Sequence, residues 1–344
     1  MEEIKVSVLC LIYNHGKYLR QMLDGLLMQE TNFAYEIILH DDASTDNSQI
    51  IIKEYYEQYP EIIRPILQRE NVYSKGVNAV FDVMFPISRG NYIAICEGDD
   101  YWTDKKKLQK QYDLMEKELQ CSICTHIVNS CEEDGSPNAF IMPNENSRLN
   151  SLKYKGQENI CVLNQNEFMR FLWLEDGYPF HTSSFFIRRH IFEVDYTTKG
   201  IWNTRDTYWL LACAYQGGVV YIKEPMSTYR NHSDGSWTMT INKQGKAGWY
   251  NLYKEDFKKC MYFDAYTNYI YHDMILTKLF GRTLKWSLYN PKECRQRLLD
   301  NEISYSIVRK NLNGKNRLKG WIGYLILVKM NWILRLISHY CHKG

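Results

Sequence analysis

The sequence predicts an α/β protein: a mostly parallel sheet flanked by helices, with a helical C-terminal extension. Three observations carry that prediction. Apolar runs of strand length alternate with segments of helical spacing through the first half of the chain, the pattern of strand–helix–strand units. Three of the runs stop at polar turns, Tyr13-Asn-His-Gly16, Asp41-Asp-Ala-Ser-Thr-Asp46 and Glu97-Gly-Asp-Asp100. After about Lys243 the strand signals fade and helical stretches dominate. The expected division is an α/β domain over residues 1–242 and a helical region over 243–344.

Residues 5–12 form the first apolar run. Leu19, Met22, Leu23, Leu26 and Leu27 follow at helical spacing within residues 17–30. Residues 35–40 read as a second strand, and the turn after it offers several N-caps for a helix over 48–59. Residues 64–68 read as a third strand, 70–76 as a loop and 77–85 as a helix. The run Tyr92-Ile-Ala-Ile-Cys96 enters from Arg89-Gly-Asn91 and reads as a buried fourth strand. A helix is expected over 103–118, its lysine run a solvated face. A strand over 120–129 leads to a polar excursion over 131–158, expected near the site. Helices over 164–173 and 206–215 alternate with strands over 180–188 and 218–222. Residues 229–237 read as a polar loop bracketed by aromatics.

The 344 residues have room for one large domain with appendages, or two domains. At 45% apolar and 24% charged the composition is that of a globular protein. A net charge of +2 argues against a dedicated nucleic-acid binder. The 27 tyrosines suit stacking on sugars or bases, or equally a Tyr-rich core. Met1-Glu-Glu-Ile-Lys5 carries acid where a signal peptide carries base, so no signal peptide is expected. The ten cysteines form no spaced framework, and Cys121-Ser-Ile-Cys124 reads as two thiols of a buried strand. A reduced, cytoplasmic location follows.

The acidic turn after the fourth strand bears the chemistry. Asp99, Asp100 and Glu97 repel one another unless a cation lies among them. A hard divalent ion with oxygen ligands, Mg²⁺ or Mn²⁺, is the natural neutraliser. The plainer reading is a solvated acidic turn. Ligands of parallel sheets bind beyond the carboxyl ends of the strands, however, and the three turns would share that rim.

Three motifs, Val6-Ser-Val-Leu-Cys-Leu-Ile-Tyr-Asn14, His40-Asp-Asp-Ala-Ser-Thr-Asp-Asn-Ser48 and Glu97-Gly-Asp-Asp-Tyr-Trp102, with Thr204-Arg-Asp-Thr-Tyr-Trp209 and Tyr229-Arg-Asn-His232 further on, give the chain its family likeness. It resembles the family 2 glycosyltransferases over residues 4–240. That resemblance implies the GT-A nucleotide-diphospho-sugar transferase fold and an inverting, metal-dependent transfer to a saccharide or lipid-linked saccharide of the cell surface. By similarity, Tyr13 would stack on the base of the donor and Asp42 would accept a hydrogen bond from it. A carboxylate suits an N–H edge such as that of uracil, so UDP is expected. Asp99 would lie near ribose and metal, and Asp100 would ligate the metal. Asp206 stands where the family places the base, or is simply a helix N-cap; the residue before it, usually acidic in the family, is Arg205. His232 is a candidate further metal or phosphate ligand. Arg230 would pair a phosphate. Asn71, Lys75 and Gly76 lie where relatives close over the nucleotide. His181-Thr-Ser-Ser184 would suit an acceptor sugar or cap a strand end. The alternative function is a non-catalytic nucleotide-sugar-binding scaffold of a polysaccharide assembly complex, which would need Asp42, Asp99 and Asp100 but not Asp206.

From Ile303 to Gly344 there are eight Lys or Arg and no acid. The uncharged run Gly320 to Val328 is too short to span a bilayer. With Trp321, Trp332 and basic flanks it suits a helix lying in the interface, peripheral on the inner face of the cell membrane. The alternative is packing on the catalytic domain or on a second copy, as a homo-oligomer.

Overall fold

The computed structural model describes residues 3–175, 179–193, 206–231 and 237–329. They form two compact units, one of Met1–Met169 with Tyr178–Thr240, the other of Arg170–Gly177 with Ile241–Gly344.

The first unit is built on β1 (Ile4–Ile12), buried on both faces, which is why its sequence is a continuous apolar run rather than an alternating one. It pairs in parallel with β2 (Ala34–Asp41) and with β4 (Tyr92–Glu97), and β2 pairs in parallel with β3 (Ile63–Leu67). This half matches the expected parallel sheet. Beyond β4 the sheet is mixed. Its order is β3-β2-β1-β4-β9-β6-β10-β5, with β5 (Tyr101–Trp102), β6 (Cys121–Cys131), β9 (Phe186–Arg188) and β10 (Gly218–Arg230). The strands β7 (Pro137–Met142) and β8 (Ile160–Leu163) hang from β6 and β10. Helices α1 (Leu19–Leu27), α2 (Ser48–Gln58) and α3 (Lys107–Lys117) cross over between strands. Their buried faces, Leu19, Met22, Leu23 and Leu26 of α1 and Ile51, Ile52 and Tyr55 of α2, join Val6, Val8, Cys10 and Ile12 in one core.

Several expectations are corrected. The excursion over 131–158 carries β7, which forms an antiparallel hairpin with β6. The stretch 77–85 is no regular helix but a wide π turn, Ala79–Met84, capped by Asn78, and a 3₁₀ turn, Phe85–Ile87. Residues 180–188 split into a 3₁₀ turn, Thr182–Ser184, and β9. The strand at 218 runs on to Arg230, so Tyr229 and Arg230 belong to it and not to a loop. The lysine run divides: Lys105 and Lys106 pair with Glu30 at the surface, while Lys107 is fully buried. Cys121 and Cys124 are free, buried thiols of β6, as expected.

The second unit holds helices Gly245–Tyr266, His272–Trp286, Pro291–Asp300 and Gly314–Tyr324. Tyr250, Tyr253, Phe257, Phe263, Leu279 and Phe280 are buried in it. Among the described residues no helix is long and apolar enough to cross a membrane.

Candidate functional site: the rim beyond β1, β2 and β4

Strand register sets the rim. Ile12 lies opposite Asp41 and Leu11 opposite Glu97, so the three turns leave the sheet along one line. Asp42 N–H donates to Ile12 O and Gly98 N–H to Leu11 O, each at 2.9 Å. The first two turns then lock together. Asn14 N–H donates to Ser44 Oγ at 2.8 Å, Thr45 N–H to Asn14 Oδ1 at 2.7 Å, His15 N–H to Ser48 Oγ at 3.1 Å and Gly16 N–H to Asp46 Oδ2 at 2.8 Å. Asn14 takes the left-handed conformation at φ 56°, which asparagine tolerates. Gly16 permits the approach, since a Cβ there would lie 1.9 Å from Asn47 Oδ1. Asp46 Oδ1 accepts from Ser48 N–H at 2.9 Å and so serves the start of α2.

Tyr13 stands on this rim, 45% exposed, a ring with an open face. Asp42 is buried, and its two carboxylate oxygens accept the N–H groups of Val72 at 2.7 Å and Tyr73 at 3.1 Å. Asn71 Nδ2 donates to Asp42 O at 3.3 Å, and its Oδ1 accepts from Ser74 N–H. Asp42 and Asn71 therefore shape the loop that turns at Gly76 in the left-handed region, φ 80°. Lys75 on that loop pairs with Glu70.

The acidic turn lies inside the rim. Asp99 is buried and Asp100 is 1% exposed. Arg230 N–H donates to Asp100 Oδ1 at 3.1 Å, whereas Asp100 Oδ2 has no hydrogen-bond partner. Burial, then the charges of Asp99 and Glu97, push the Asp100 carboxyl well above the usual range, against the pull of Arg230. A buried carboxylate oxygen with no partner is costly, and a cation is what this one fits. Thr182 Oγ1 donates to Glu97 Oε1 at 3.3 Å. Among the described residues no three His, Cys, Asp or Glu side chains converge as a metal cage. An ion carried by a diphosphate needs only one or two carboxylates, because the phosphates and water complete its shell.

Arg230 is enclosed. Its side chain does not reach toward an open phosphate position; the residue is 3% exposed. Nε donates to Asp99 O at 3.1 Å, Nη1 to Glu133 O at 3.0 Å and Nη2 to Gln21 Oε1 at 2.7 Å. The guanidinium also lies over the ring of Tyr18 at 4.7 Å. Arg230 is thus a clamp that ties β10, α1 and the chain after β6 to the acidic turn. Asp206 opens the helix Asp206–Gln216 as expected, but its side chain lies outside the described residues, and so does His232.

Three supports of the rim escaped the sequence reading. His15 packs against Gly98, where a Cβ would come within 2.5 Å of its Nδ1. Lys107 Nζ lies over the Trp102 ring, 3.9 Å from its centroid, and donates to Gln111 Oε1 at 2.7 Å. Gln111 Nε2 in turn donates to Ser184 O at 2.9 Å, tying α3 to the turn that carries His181. Lys107, Leu108, Gln111 and Met115 are the buried stripe of α3, and their i, i+4 spacing was the available signal.

With the geometry in hand, the glycosyl transferase family 2 model matches residues 7–194, and the chain belongs to that family. The uncharacterized protein Rv1520 of Mycobacterium tuberculosis is 33% identical over 232 residues, 67% of this chain and 60% of that protein. The matched part thus spans about 60% of the length of the curated relatives of that group. The poly(ribitol-phosphate) beta-glucosyltransferase of Bacillus spizizenii is 33% identical over 99 residues, 28% of this chain and 15% of that protein. The crystal structure of S. aureus TarS 1-349 in complex with UDP-GlcNAc superposes with a TM-score of 0.60 at 14% identity, covering 99% of this chain and 92% of that one. The shared fold is GT-A.

Proposed function

We propose that the chain is an inverting glycosyltransferase that moves a sugar from a nucleoside diphosphate donor, UDP-linked, to a saccharide or lipid-linked saccharide acceptor in cell-surface polysaccharide synthesis. The observation that carries this is the buried Asp100, with one oxygen fixed by Arg230 N–H and the other without a hydrogen-bond partner, beside Asp99 on the rim. Asp100 and Asp99 would hold Mn²⁺ or Mg²⁺, which when bound supplies positive charge against the leaving diphosphate. Tyr13 offers its open ring to the base. Asp42 keeps lone pairs beyond the two that accept Val72 and Tyr73, enough for one N–H of uracil. Asp206, at a helix start, takes the proton of the acceptor hydroxyl, and a single displacement inverts the anomeric carbon. The UDP-GlcNAc of the TarS complex supports a UDP donor. The name of the Bacillus relative supports transfer to a cell-surface polymer.

The second unit presents Leu318, Trp321 and Ile322 to solvent at i, i+3, i+4 spacing, while Gly320 and Gly323 of the same helix lie against Phe280 and Leu284. With Arg317 and Lys319 alongside, that outer face suits peripheral attachment to an anionic leaflet.

The test is a panel of nucleotide sugars with Mn²⁺ and the purified protein. Slow, metal-dependent release of the free diphosphate, abolished in Asp206→Asn while nucleotide binding persists, is expected. Saturable binding with no release from any donor, even with extracts as acceptor source, would make the chain a binding scaffold.

A further inference from the structure

Asp100 Oδ2 and the Nδ1 atom of His181 face each other at 3.4 Å. Neither group is at liberty to turn away. Asp100 is anchored through Oδ1 by Arg230 N–H. The His181 ring packs on Tyr229, centroids 4.4 Å apart. Its turn is fixed by Ser183 Oγ against Ser227 Oγ at 3.0 Å and by Gln111 on Ser184 O. Nδ1 accepts from Ser183 N–H at 3.3 Å and lies 3.1 Å from Ser183 Oγ. Nδ1 is therefore the lone-pair nitrogen of the ring. With no N–H or O–H of another residue between them, Asp100 Oδ2 and His181 Nδ1 face each other in a buried place, an arrangement that calls for a proton or a metal ion between them. Two adjacent ligands of one ion, each bonded at about 2.1–2.2 Å, stand roughly 3.0–3.4 Å apart. The observed separation matches.

We infer that His181 Nδ1 is a second protein ligand, beside Asp100 Oδ2, of the divalent cation that accompanies the donor diphosphate. The inference rests on the donor reading given above. The long contact from Ser183 N–H gives way to the metal bond. A nitrogen ligand also sets selectivity. Mg²⁺ keeps to oxygen, whereas a first-row transition ion accepts imidazole. The site therefore favours Mn²⁺ over Mg²⁺.

Pulsed electron paramagnetic resonance of Mn²⁺ bound to the full chain with UDP reads a coordinated nitrogen directly. Wild type shows ¹⁴N modulation, and His181→Gln loses it. The same variant binds Mn²⁺ more weakly by at least the roughly 10–100-fold that loss of an outer-shell partner costs, with a smaller change for Mg²⁺. Mn²⁺ and UDP bound in His181→Gln with the modulation intact would overturn the inference and leave the donor reading standing. Wild type that binds neither would overturn both. Should thermal melting show His181→Gln unfolded, His181→Asn, which keeps an acceptor for Ser183 N–H, takes its place with Mn²⁺ and UDP bound. Its modulation is lost if His181 is the ligand, and persistence contradicts the assignment.

Discussion

Replacing Lys107 with methionine should stabilise the protein at neutral pH relative to alkaline pH, and the size of that change follows from where the amine lies. Lys107 is fully buried, with Nζ above the Trp102 ring and bonded to Gln111 Oε1. Burial pulls its pKa from the ordinary 10.5 down to about 7, against the opposing pull of Cys96, Cys124 and Asp104. Between those two values the unfolded chain holds a proton that the folded chain has shed. Wild-type stability therefore rises with pH from about 7 to 10.5 and is level, on this account, below that window. At ~1.4 kcal/mol per pH unit the ceiling is ~5 kcal/mol. Methionine fills similar volume and does not titrate. It forfeits the bond to Gln111, worth about 1–3 kcal/mol if the buried amide oxygen stays unpaired, and the cation–π contact with Trp102. The bond to Gln111 is lost at every pH and the contact with Trp102 favours the charged amine, so the diagnostic quantity is the slope. Urea unfolding at steps from pH 6 to 10 should show the Lys107→Met curve flattened by several kcal/mol against wild type. Two parallel curves across that range would refute the reasoning.

Other expectations follow from the same contacts. Arg230→Met should lower the melting temperature, at about 1–3 kcal/mol, because it leaves the carbonyl acceptors of Asp99 and Glu133 unpaired; a loss of nucleotide affinity with unchanged stability would show that Arg230 is a phosphate ligand. Asp100→Asn should raise the melting temperature of the ligand-free protein at pH 8, since the wild-type carboxyl is held above its usual range, yet remove the further rise given by Mn²⁺ with UDP. Glu36 is buried and accepts from Ser7, Arg89 and Arg64; burial raises its pKa, but these bonds outweigh it and leave the group below 4.5. The stability it contributes is present above pH 4.5 and lost as pH falls through the lowered value, so Glu36→Gln should destabilise at pH 7 and match wild type in strong acid. Gly90→Ala should unfold the first unit, because a Cβ would meet Ser7 N at 2.4 Å and Val6 C at 2.6 Å.

The parallel half of the sheet was legible because β1, β2 and β4 are buried on both faces and so read as unbroken apolar runs. The rim was legible for a related reason: Tyr13, Asp42 and Asp99 each follow such a run. The mixed half was not. In β7 the residues are half-buried or exposed, so Pro137 to Met142 carries no apolar run to detect, and its pairing partner is supplied by β6. In β10, Pro225 and the polar residues after it conceal a strand whose register shifts around that proline. The surroundings of Arg230 were not legible, because a sequence shows a charge near acidic residues but not the carbonyls that gather round it. Lys107 was misjudged because two exposed neighbours, Lys105 and Lys106, hid a residue on the inner stripe of α3.

The central claim is that the acidic rim grips a cation and, through it, a nucleoside diphosphate. Calorimetric titration of UDP into the full chain, with Mn²⁺ and again with a chelator, tests it most directly. Saturable heat with Mn²⁺, lost in the chelator and in Asp100→Asn, is the predicted result. Equal binding by Asp100→Asn, or no saturable heat from wild type with the metal present, would contradict it.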